Sequence, residues 1–241
     1  MQFVDVSLPG GSPREYEIVL GIELPNGVAD DLVRWQGAQR WAVITDTRVG
    51  PLYGEPLAQA LRDLGVEAHC LEFPAGEQSK TRETVADLQD RLIDLRYGRD
   101  SWVIAVGGGV VGDVAGFVAA TLFRGIPCVQ VPTTLLAMVD SSVGGKTGVD
   151  TSAGKNLVGA FLQPRRVLVD FETLSSLPRE EIASGMAEII KYGVILDADL
   201  FESLEGDFLE ATLTGSEAAL SRIVARSCDL KATVVSLDET E

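Results

Sequence analysis

Histidine is almost absent from this 241-residue chain, which has only His69. It lies in residues 66–73, an apolar stretch that predicts a strand, and a lone histidine beside a strand is more often structural than catalytic. We therefore expect His69 to serve the fold. With one histidine, the 241 residues cannot form a metal site or a proton-transfer site built from several histidines.

Cysteine is also scarce. Cys70, Cys128 and Cys228 are scattered, odd in number and never spaced as a CxxC pair. This pattern excludes a disulfide framework and is typical of reduced, buried thiols.

Long hydrophobic runs are missing, because glycine, proline or charge interrupts each apolar stretch before it could span a bilayer. Residues 1–9 have no basic region followed by an apolar run, so a secretory signal is not expected. These two absences predict a cytoplasmic protein without a membrane partner.

Basic residues are outnumbered, with 20 Lys and Arg against 36 Asp and Glu and a formal net charge of −16. An acidic surface repels phosphate backbones, so nucleic acid is not an expected partner. An anionic substrate would require a local cluster of lysine and arginine side chains.

Short β-branched runs alternate with helical stretches in the first half, which predicts α/β layering around a largely parallel sheet. Strands are predicted at residues 41–45, 67–71, 102–106 and 128–131, and helices at 56–64, 79–95 and 114–121. From Pro178 onward helices are predicted at 178–196, 198–205 and 217–235. A boundary near residue 172 would separate an α/β domain, 1–172, from the first part of an all-helical domain, 173–241.

Three consecutive glycines, Gly107 to Gly109, follow a predicted buried strand and open a helix. Bare backbone lets a pyrophosphate approach, and the amides at a helix N-terminus bind its charge. The spacing is not GxGxxG, and a tight strand-to-helix turn explains the glycines as well.

Asp46, after an earlier strand, could accept hydrogen bonds from ribose hydroxyls or start a helix. The polar loop 74–80 could bind a ligand or cap the following helix.

The densest signal is residues 139–159, VDSSVGGKTGVDTSAGKNLVG, in which Lys146 and Lys155 each follow a glycine. We predict an irregular loop that places ammonium groups and backbone amides around an anion, with polar contacts from Asp140 and Asn156. A P-loop is excluded because Asp140 stands where its first glycine is required. A flexible surface loop is the alternative.

Glu188 and Lys191 lie three residues apart on a predicted helix, hence on one face. They could form an ion pair on a solvated face. Their neighbours are largely apolar, however, and a buried carboxylate needs a cation or a metal ion to stay charged. The spacing leaves a metal ligand and an ion pair equally open for Glu188.

Together these segments resemble the 3-dehydroquinate synthases, within the sugar-phosphate cyclases. The resemblance covers nearly the whole chain and is carried by TDTRV, PAGEQSKT, GGGVVGDVAGF, ATLFRG, VPTTLLAMVDSSVGGKTGVD, AGKNLVGAF, LPREEIASGMAEIIKYG and KATVVSLDETE.

The resemblance implies an NAD-binding α/β domain followed by a helical metal- and substrate-binding domain. Ser176 stands where the family has threonine, and Arg48 where it often has a smaller polar residue. The cofactor-binding residues implied are Asp46, Glu77, Lys80, Gly108, Gly109, Val110, Asp113, Thr133, Thr134, Leu136, Lys146, Lys155, Thr173, Ser176, Leu177 and Glu181.

The resemblance also implies a substrate, 3-deoxy-D-arabino-heptulosonate 7-phosphate, that becomes 3-dehydroquinate and phosphate in the shikimate pathway of aromatic amino acid biosynthesis. Glu188 would bind a divalent metal ion, zinc or cobalt. A homodimer is expected, in which Arg124 of one subunit reaches the phosphate of the substrate bound to the neighbouring subunit. The substrate and catalytic residues implied are Arg124, Asp140, Lys146, Lys155, Asn156, Lys191 and Lys231.

In the family, two metal-binding histidines follow the last of these motifs. We therefore expect the 241-residue polypeptide to bind NAD, to hold metal weakly and not to turn over. Three alternatives stay open: another sugar-phosphate cyclase, a metal-dependent polyol dehydrogenase of the same fold, which would not need the two lysines, and a nucleotide-binding module without enzymatic activity.

Overall fold

The computed structural model describes residues 1–7, 15–36, 40–205 and 216–238, in which nine strands and seven α-helices form. The strands are β1 Gln2–Ser7, β2 Glu15–Leu20, β3 Arg40–Asp46, β4 Glu67–Phe73, β5 Trp102–Gly107, β6 Cys128–Pro132, β7 Lys146–Thr151, β8 Gly154–Phe161 and β9 Arg166–Val169. The helices are α1 Asn26–Gln36, α2 Glu55–Asp63, α3 Arg82–Asp94, α4 Gly109–Thr121, α5 Arg179–Leu196, α6 Ala198–Ser203 and α7 Glu217–Leu237.

Seven of these strands form one sheet in the order β1-β2-β9-β6-β5-β3-β4. β1 pairs antiparallel with β2, and every other neighbouring pair in this sheet is parallel. The interior strands β5 and β6 are buried along their whole length, as expected for a parallel sheet covered on both faces. The predicted α/β architecture around a largely parallel sheet is confirmed.

The two faces of the sheet have separate cores, because alternate side chains of a strand point to opposite sides. Trp41 and Val43 pack with α1 and α2, whereas Ala42 and Ile44 pack with α3 and α4. A third buried cluster joins β1, β2 and β9 to α5, α6 and α7. The helical segment therefore shares a core with one end of the sheet, and the domain boundary near residue 172 stays a prediction.

The predicted elements agree with the structure within a few residues, apart from the start of one helix. The helix after the glycine turn begins at Gly109, five residues before the predicted start. Strands β1, β2 and β9 and helix α1 were not predicted, although EYEIVL, the sequence of β2, has a strand-like composition. Two predicted segments extend beyond the described residues. They are the last three residues of the KATVVSLDETE motif, 239–241, and residues 8–9 of the N-terminal stretch in which no secretory signal is expected.

The prediction of an irregular loop across residues 139–159 is wrong. Residues 146–161 form an antiparallel hairpin, β7 and β8, that packs against α4. Its glycines explain why it pairs so closely: a Cβ added to Gly159 would lie 2.0 Å from the carbonyl oxygen of Thr147. None of the described helices is long and apolar enough to cross a membrane.

His69 lies on β4 and takes part in a hydrogen-bonded chain within the fold. The Tyr97 hydroxyl donates to the carbonyl oxygen of Trp41 at 2.9 Å, so it must accept from Nδ1 of His69, which lies 3.0 Å away. The proton of His69 is therefore on Nδ1. This arrangement supports the structural role expected for the histidine.

Replacing this histidine should affect stability and leave ligand binding alone. We expect His69→Gln to lower the free energy of unfolding by about 1 kcal/mol, the typical net value of one hydrogen bond. NADH, the cofactor implied by the resemblance, should bind with unchanged affinity. Urea unfolding and fluorescence titration measure the two effects, and a folded variant with much weaker NADH binding would contradict a purely structural role.

Candidate active site

A cleft of about 500 Å³ opens at the carboxyl ends of β3, β5 and β6, where parallel sheets bind their ligands. It brings together residues that are far apart in the sequence, from the ends of these strands to the start of α5. Thirteen of the sixteen predicted cofactor residues line it: Asp46, Glu77, Lys80, Gly108, Gly109, Val110, Asp113, Thr133, Thr134, Leu136, Ser176, Leu177 and Glu181.

The remaining three predicted cofactor residues lie elsewhere. Lys146 lines a neighbouring cleft of about 380 Å³ that also includes Asp113 and Asn156. Lys155 reaches Glu77 at the rim of the main cleft, where its ammonium lies 2.9 Å from Oε1. Thr173 is buried, and its hydroxyl donates to the carbonyl oxygen of Asp170 at 2.7 Å, which is a structural contact.

The glycine turn leaves backbone exposed at the floor of the cleft. Gly108 is the N-cap of α4, and the first amides of the helix have no intrahelical partner. A Cβ on Gly108 would lie 3.1 Å from Cγ2 of Thr134, so a side chain there would crowd the cleft wall. This geometry suits a pyrophosphate at the helix N-terminus.

Asp46 is held in place by its own turn. Its Oδ1 accepts from the backbone N–H groups of Arg48 and Val49, at 2.8 and 2.9 Å. The two interpretations of Asp46 from the sequence are therefore compatible. One oxygen fixes the turn, and the other can accept a hydrogen bond from a ribose hydroxyl in the cleft.

A buried lysine connects the main cleft to its neighbour. Lys80, whose side chain is only 5% exposed, pairs with Oδ2 of Asp113 and donates to Oδ1 of Asn156, each at 2.5 Å. Burial raises the pKa of the Asp113 carboxyl, and the Lys80 ammonium opposes that shift. Because Asn156 is on the β7–β8 hairpin, the lysine also ties the hairpin to the cleft.

The hairpin is fixed by two further contacts. Asp150 donates its backbone N–H to the carbonyl oxygen of Lys80 at 2.8 Å, and its Oδ1 accepts from the backbone N–H of Asn156 at 2.8 Å. Asn156 adopts a left-handed conformation, with φ 56°, which asparagine tolerates better than most residues. The Lys155–Glu77 pair is solvent-exposed and raises the pKa of Lys155 through its hydrogen bond.

A second polar cluster forms where α5 and α7 meet the turn Ala137–Ser141. Lys231 pairs with Oδ1 of Asp140 at 3.1 Å. The Tyr192 hydroxyl donates to the same carboxylate oxygen at 3.3 Å and to the carbonyl oxygen of Val139 at 3.2 Å. Burial, followed by the charges of Asp140 and Glu188, raises the pKa of Tyr192, so it stays a neutral donor.

Tyr192 was not predicted from the sequence as a site residue. The available signal was its position, four residues after Glu188 and next to Lys191, which places it beside both carboxylate and lysine on one helix. The Lys191 ammonium lies 5.3 Å from the centre of the tyrosine ring. The contact from Tyr192 to Asp140 depends on helix packing that no local pattern shows.

Glu188 forms an ion pair with Lys191, one of the two possibilities left open by its spacing. Its side chain is 15% exposed, and the oxygen that meets the Lys191 ammonium is Oε1. In the part of the chain that the structure describes, no group of three or more His, Cys, Asp or Glu side chains could hold a metal ion. Since a catalytic zinc typically takes three protein ligands, these residues alone do not form a metal site. The role of Glu188 as a metal ligand stays a prediction.

Arg124 is the predicted site residue that lies apart. It is exposed on the turn Leu122–Arg124 after α4, with φ 70°, and lines neither of the two clefts. Its role toward a neighbouring subunit stays a prediction.

Comparison with known proteins identifies the family. One protein-family model, described as 3-dehydroquinate synthase N-terminal, matches residues 70–184. A second family model, described as 3-dehydroquinate synthase C-terminal, matches residues 185–241. The chain belongs to the 3-dehydroquinate synthase family. The two matches cover the glycine turn, the hairpin and the helices α5 and α7, which carry both polar clusters.

Two 3-dehydroquinate synthases are about half identical to the chain. The 3-dehydroquinate synthase of Geobacter metallireducens is 54% identical over 200 residues, 83% of this chain and 55% of the relative. That of Synechococcus sp. is 52% identical over 246 residues, 99% of this chain and 66% of the relative. The chain thus spans between half and two thirds of the length of these relatives.

A solved structure of a related cyclase has the same fold. The 2-deoxy-scyllo-inosose synthase complexed with carbaglucose-6-phosphate, NAD+ and Co2+ matches with a TM-score of 0.84 at 30% identity. The match covers 98% of this chain and 62% of that one.

Proposed function

We propose that the protein acts as a 3-dehydroquinate synthase and converts 3-deoxy-D-arabino-heptulosonate 7-phosphate to 3-dehydroquinate and phosphate. The observation that carries the proposal is the buried Lys80. It joins the large cleft to the lysine-bearing hairpin, so that a dinucleotide and an anionic substrate would lie side by side. The family match favours this function over a polyol dehydrogenase or a non-enzymatic module.

The large cleft would hold NAD. The amides at the start of α4 would bind the pyrophosphate, and Asp46 would accept from the ribose of the adenosine. When bound, NAD would accept a hydride from a secondary alcohol of the substrate and later return it. Asp113, held by Lys80, would fix the wall between the cofactor and the substrate.

The neighbouring residues would hold the substrate. Lys146 and Asn156 line the second cleft beside Asp113 and would bind the oxygen atoms of the sugar acid. Asp140 would accept from a ring hydroxyl, since Lys231 and Tyr192 already fix one of its oxygens. Lys231 and Lys191 would offset the charge of the carboxylate, with Arg124 reaching the phosphate in a homodimer. These lysines provide the local positive charge that an acidic protein needs for a substrate with both a carboxylate and a phosphate.

A divalent metal ion, zinc or cobalt, would polarise the substrate oxygens if it were held at Glu188. We further propose that the protein works in the cytoplasm.

Two measurements test the proposal. The 241-residue chain should bind NADH at one site, as seen by fluorescence titration, and Asp46→Ala should weaken that binding by about tenfold or more. The complete gene product should release phosphate from the substrate only with NAD present, and EDTA should stop the reaction. Phosphate release that does not depend on NAD, or a chain that is folded but does not bind NADH, would contradict the proposal.

A further inference from the structure

An unpaired arginine lines the proposed cofactor cleft. Arg48 lies in the turn after β3, where its backbone N–H donates to Oδ1 of Asp46 at 2.8 Å. The turn places it at the wall of the cleft, together with Asp46 and Tyr53. The side chain is exposed, and within the described ranges its guanidinium has no ion pair or hydrogen bond.

The other cation in the cleft wall is already engaged. Lys80 is buried between Asp113 and Asn156. Among the described residues that line this cleft, Arg48 is therefore the one cation available to an anionic group of a ligand. It lies only two residues from Asp46, the carboxylate expected to meet the ribose of the adenosine.

We propose that Arg48 allows this cleft to bind NADP as well as NAD, by pairing with the 2′-phosphate of the adenosine. In dinucleotide-binding folds an acidic residue after the strand accepts from the 2′-hydroxyl, and a nearby arginine accommodates a 2′-phosphate. This chain has both groups in one turn. The inference rests on the proposed function, because it takes the cleft to be a dinucleotide site.

The two side chains have opposite effects on a 2′-phosphate. Asp46 repels it, but one oxygen of that carboxylate already accepts two backbone N–H groups, which reduces its negative charge toward the cleft. The guanidinium of Arg48 can form two parallel hydrogen bonds with a phosphate, which a lysine in the same place could not do. NAD should therefore bind more tightly than NADP, while NADP still binds measurably.

Fluorescence titration of the chain with NADH and with NADPH tests the inference. We expect the Kd for NADPH to exceed that for NADH by less than about 100-fold, because charge-assisted pairing offsets much of the repulsion. Arg48→Ala should raise the Kd for NADPH by about 10- to 100-fold and that for NADH by less than about threefold. Arg48→Lys should lie between wild type and Arg48→Ala, and Asp46→Asn should tighten NADPH binding.

Two controls make the result specific. Arg99→Ala removes another exposed arginine that does not line the cleft, and it should change neither Kd. NADPH binding should also weaken more steeply with salt than NADH binding, because it includes one more charge pair.

The outcomes separate this inference from the proposed function. If neither nucleotide binds, the cleft is not a dinucleotide site and the proposed function fails with it. If NADH binds but NADPH does not, or if Arg48→Ala weakens both equally, the role of Arg48 is wrong and the proposed function stands.

Discussion

Replacing Lys80 with methionine should lower the free energy of unfolding by about 3 kcal/mol at neutral pH, because it leaves a buried carboxylate without its counter-charge. The Lys80 side chain is 5% exposed, and its ammonium lies 2.5 Å from Oδ2 of Asp113. The substitution also removes the contact to Asn156, so the hairpin loses one of its attachments to the cleft. NADH should bind more weakly as a result, and urea unfolding with a cofactor titration measures both effects.

The loss of stability should depend on pH in a defined direction. Burial already raises the pKa of Asp113 above its ordinary value, and without Lys80 the pKa should rise further. A carboxyl group whose pKa is raised in the folded state disfavours folding in full above that raised pKa, and the penalty is lost as pH falls from there to the ordinary pKa. The difference between wild type and Lys80→Met should therefore be largest at about pH 7 and smaller at about pH 5.

Two variants show whether the buried charge is responsible. Lys80→Met with Asp113→Asn removes both charges, so it should recover much of the stability lost in the single variant. Lys155→Met breaks the exposed pair with Glu77, which joins the same two segments but has a lysine side chain that is 73% exposed. It should leave stability unchanged, since exposed ion pairs contribute little. A pH-independent loss, or no recovery in the double variant, would contradict the interpretation.

The parallel centre of the fold could be predicted because its signals are local. The strands at Trp41, Trp102 and Cys128 are short apolar runs, and a helix follows each of the first two at the expected spacing. The hairpin β7–β8 could not be predicted in the same way. Its strands are rich in glycine and threonine, and they pair because Gly148 and Gly159 allow the two backbones to approach, a property of the pair rather than of either segment.

The residues of the candidate site likewise include some that local sequence signals predict and some contacts that they do not. The glycine turn and Asp46 were predicted because each directly follows a strand, and residues at the carboxyl ends of parallel strands meet. The pairings within the site were not predicted. Lys80 is 76 residues from Asn156, and Tyr192 is 52 residues from Asp140, so each contact depends on tertiary packing. The resemblance supplied the lysines as site residues without saying which carboxylates hold them.

Gly159→Ala should have the second large effect, because it adds a methyl group where two backbones touch. An added Cβ would lie 2.0 Å from the carbonyl oxygen of Thr147 and 2.9 Å from the Cα of Gly148. Backbone atoms cannot rotate away as a side chain can, so β7 and β8 must separate. We expect the free energy of unfolding to fall by about 2–3 kcal/mol, in the range of other overpacking substitutions.

The same substitution should weaken ligand binding, because the hairpin carries both Lys146 and Asn156. Opening it would withdraw Asn156 from Lys80 and leave the wall between the two clefts unsupported. Gly154→Ala is the matched control: its Cβ would lie 3.3 Å from a methyl group of Leu157, which is exposed and able to move. Urea unfolding and NADH titration of both variants check the prediction. Equal behaviour of the two alanine variants would show that close pairing at Gly159 does not hold the hairpin in place.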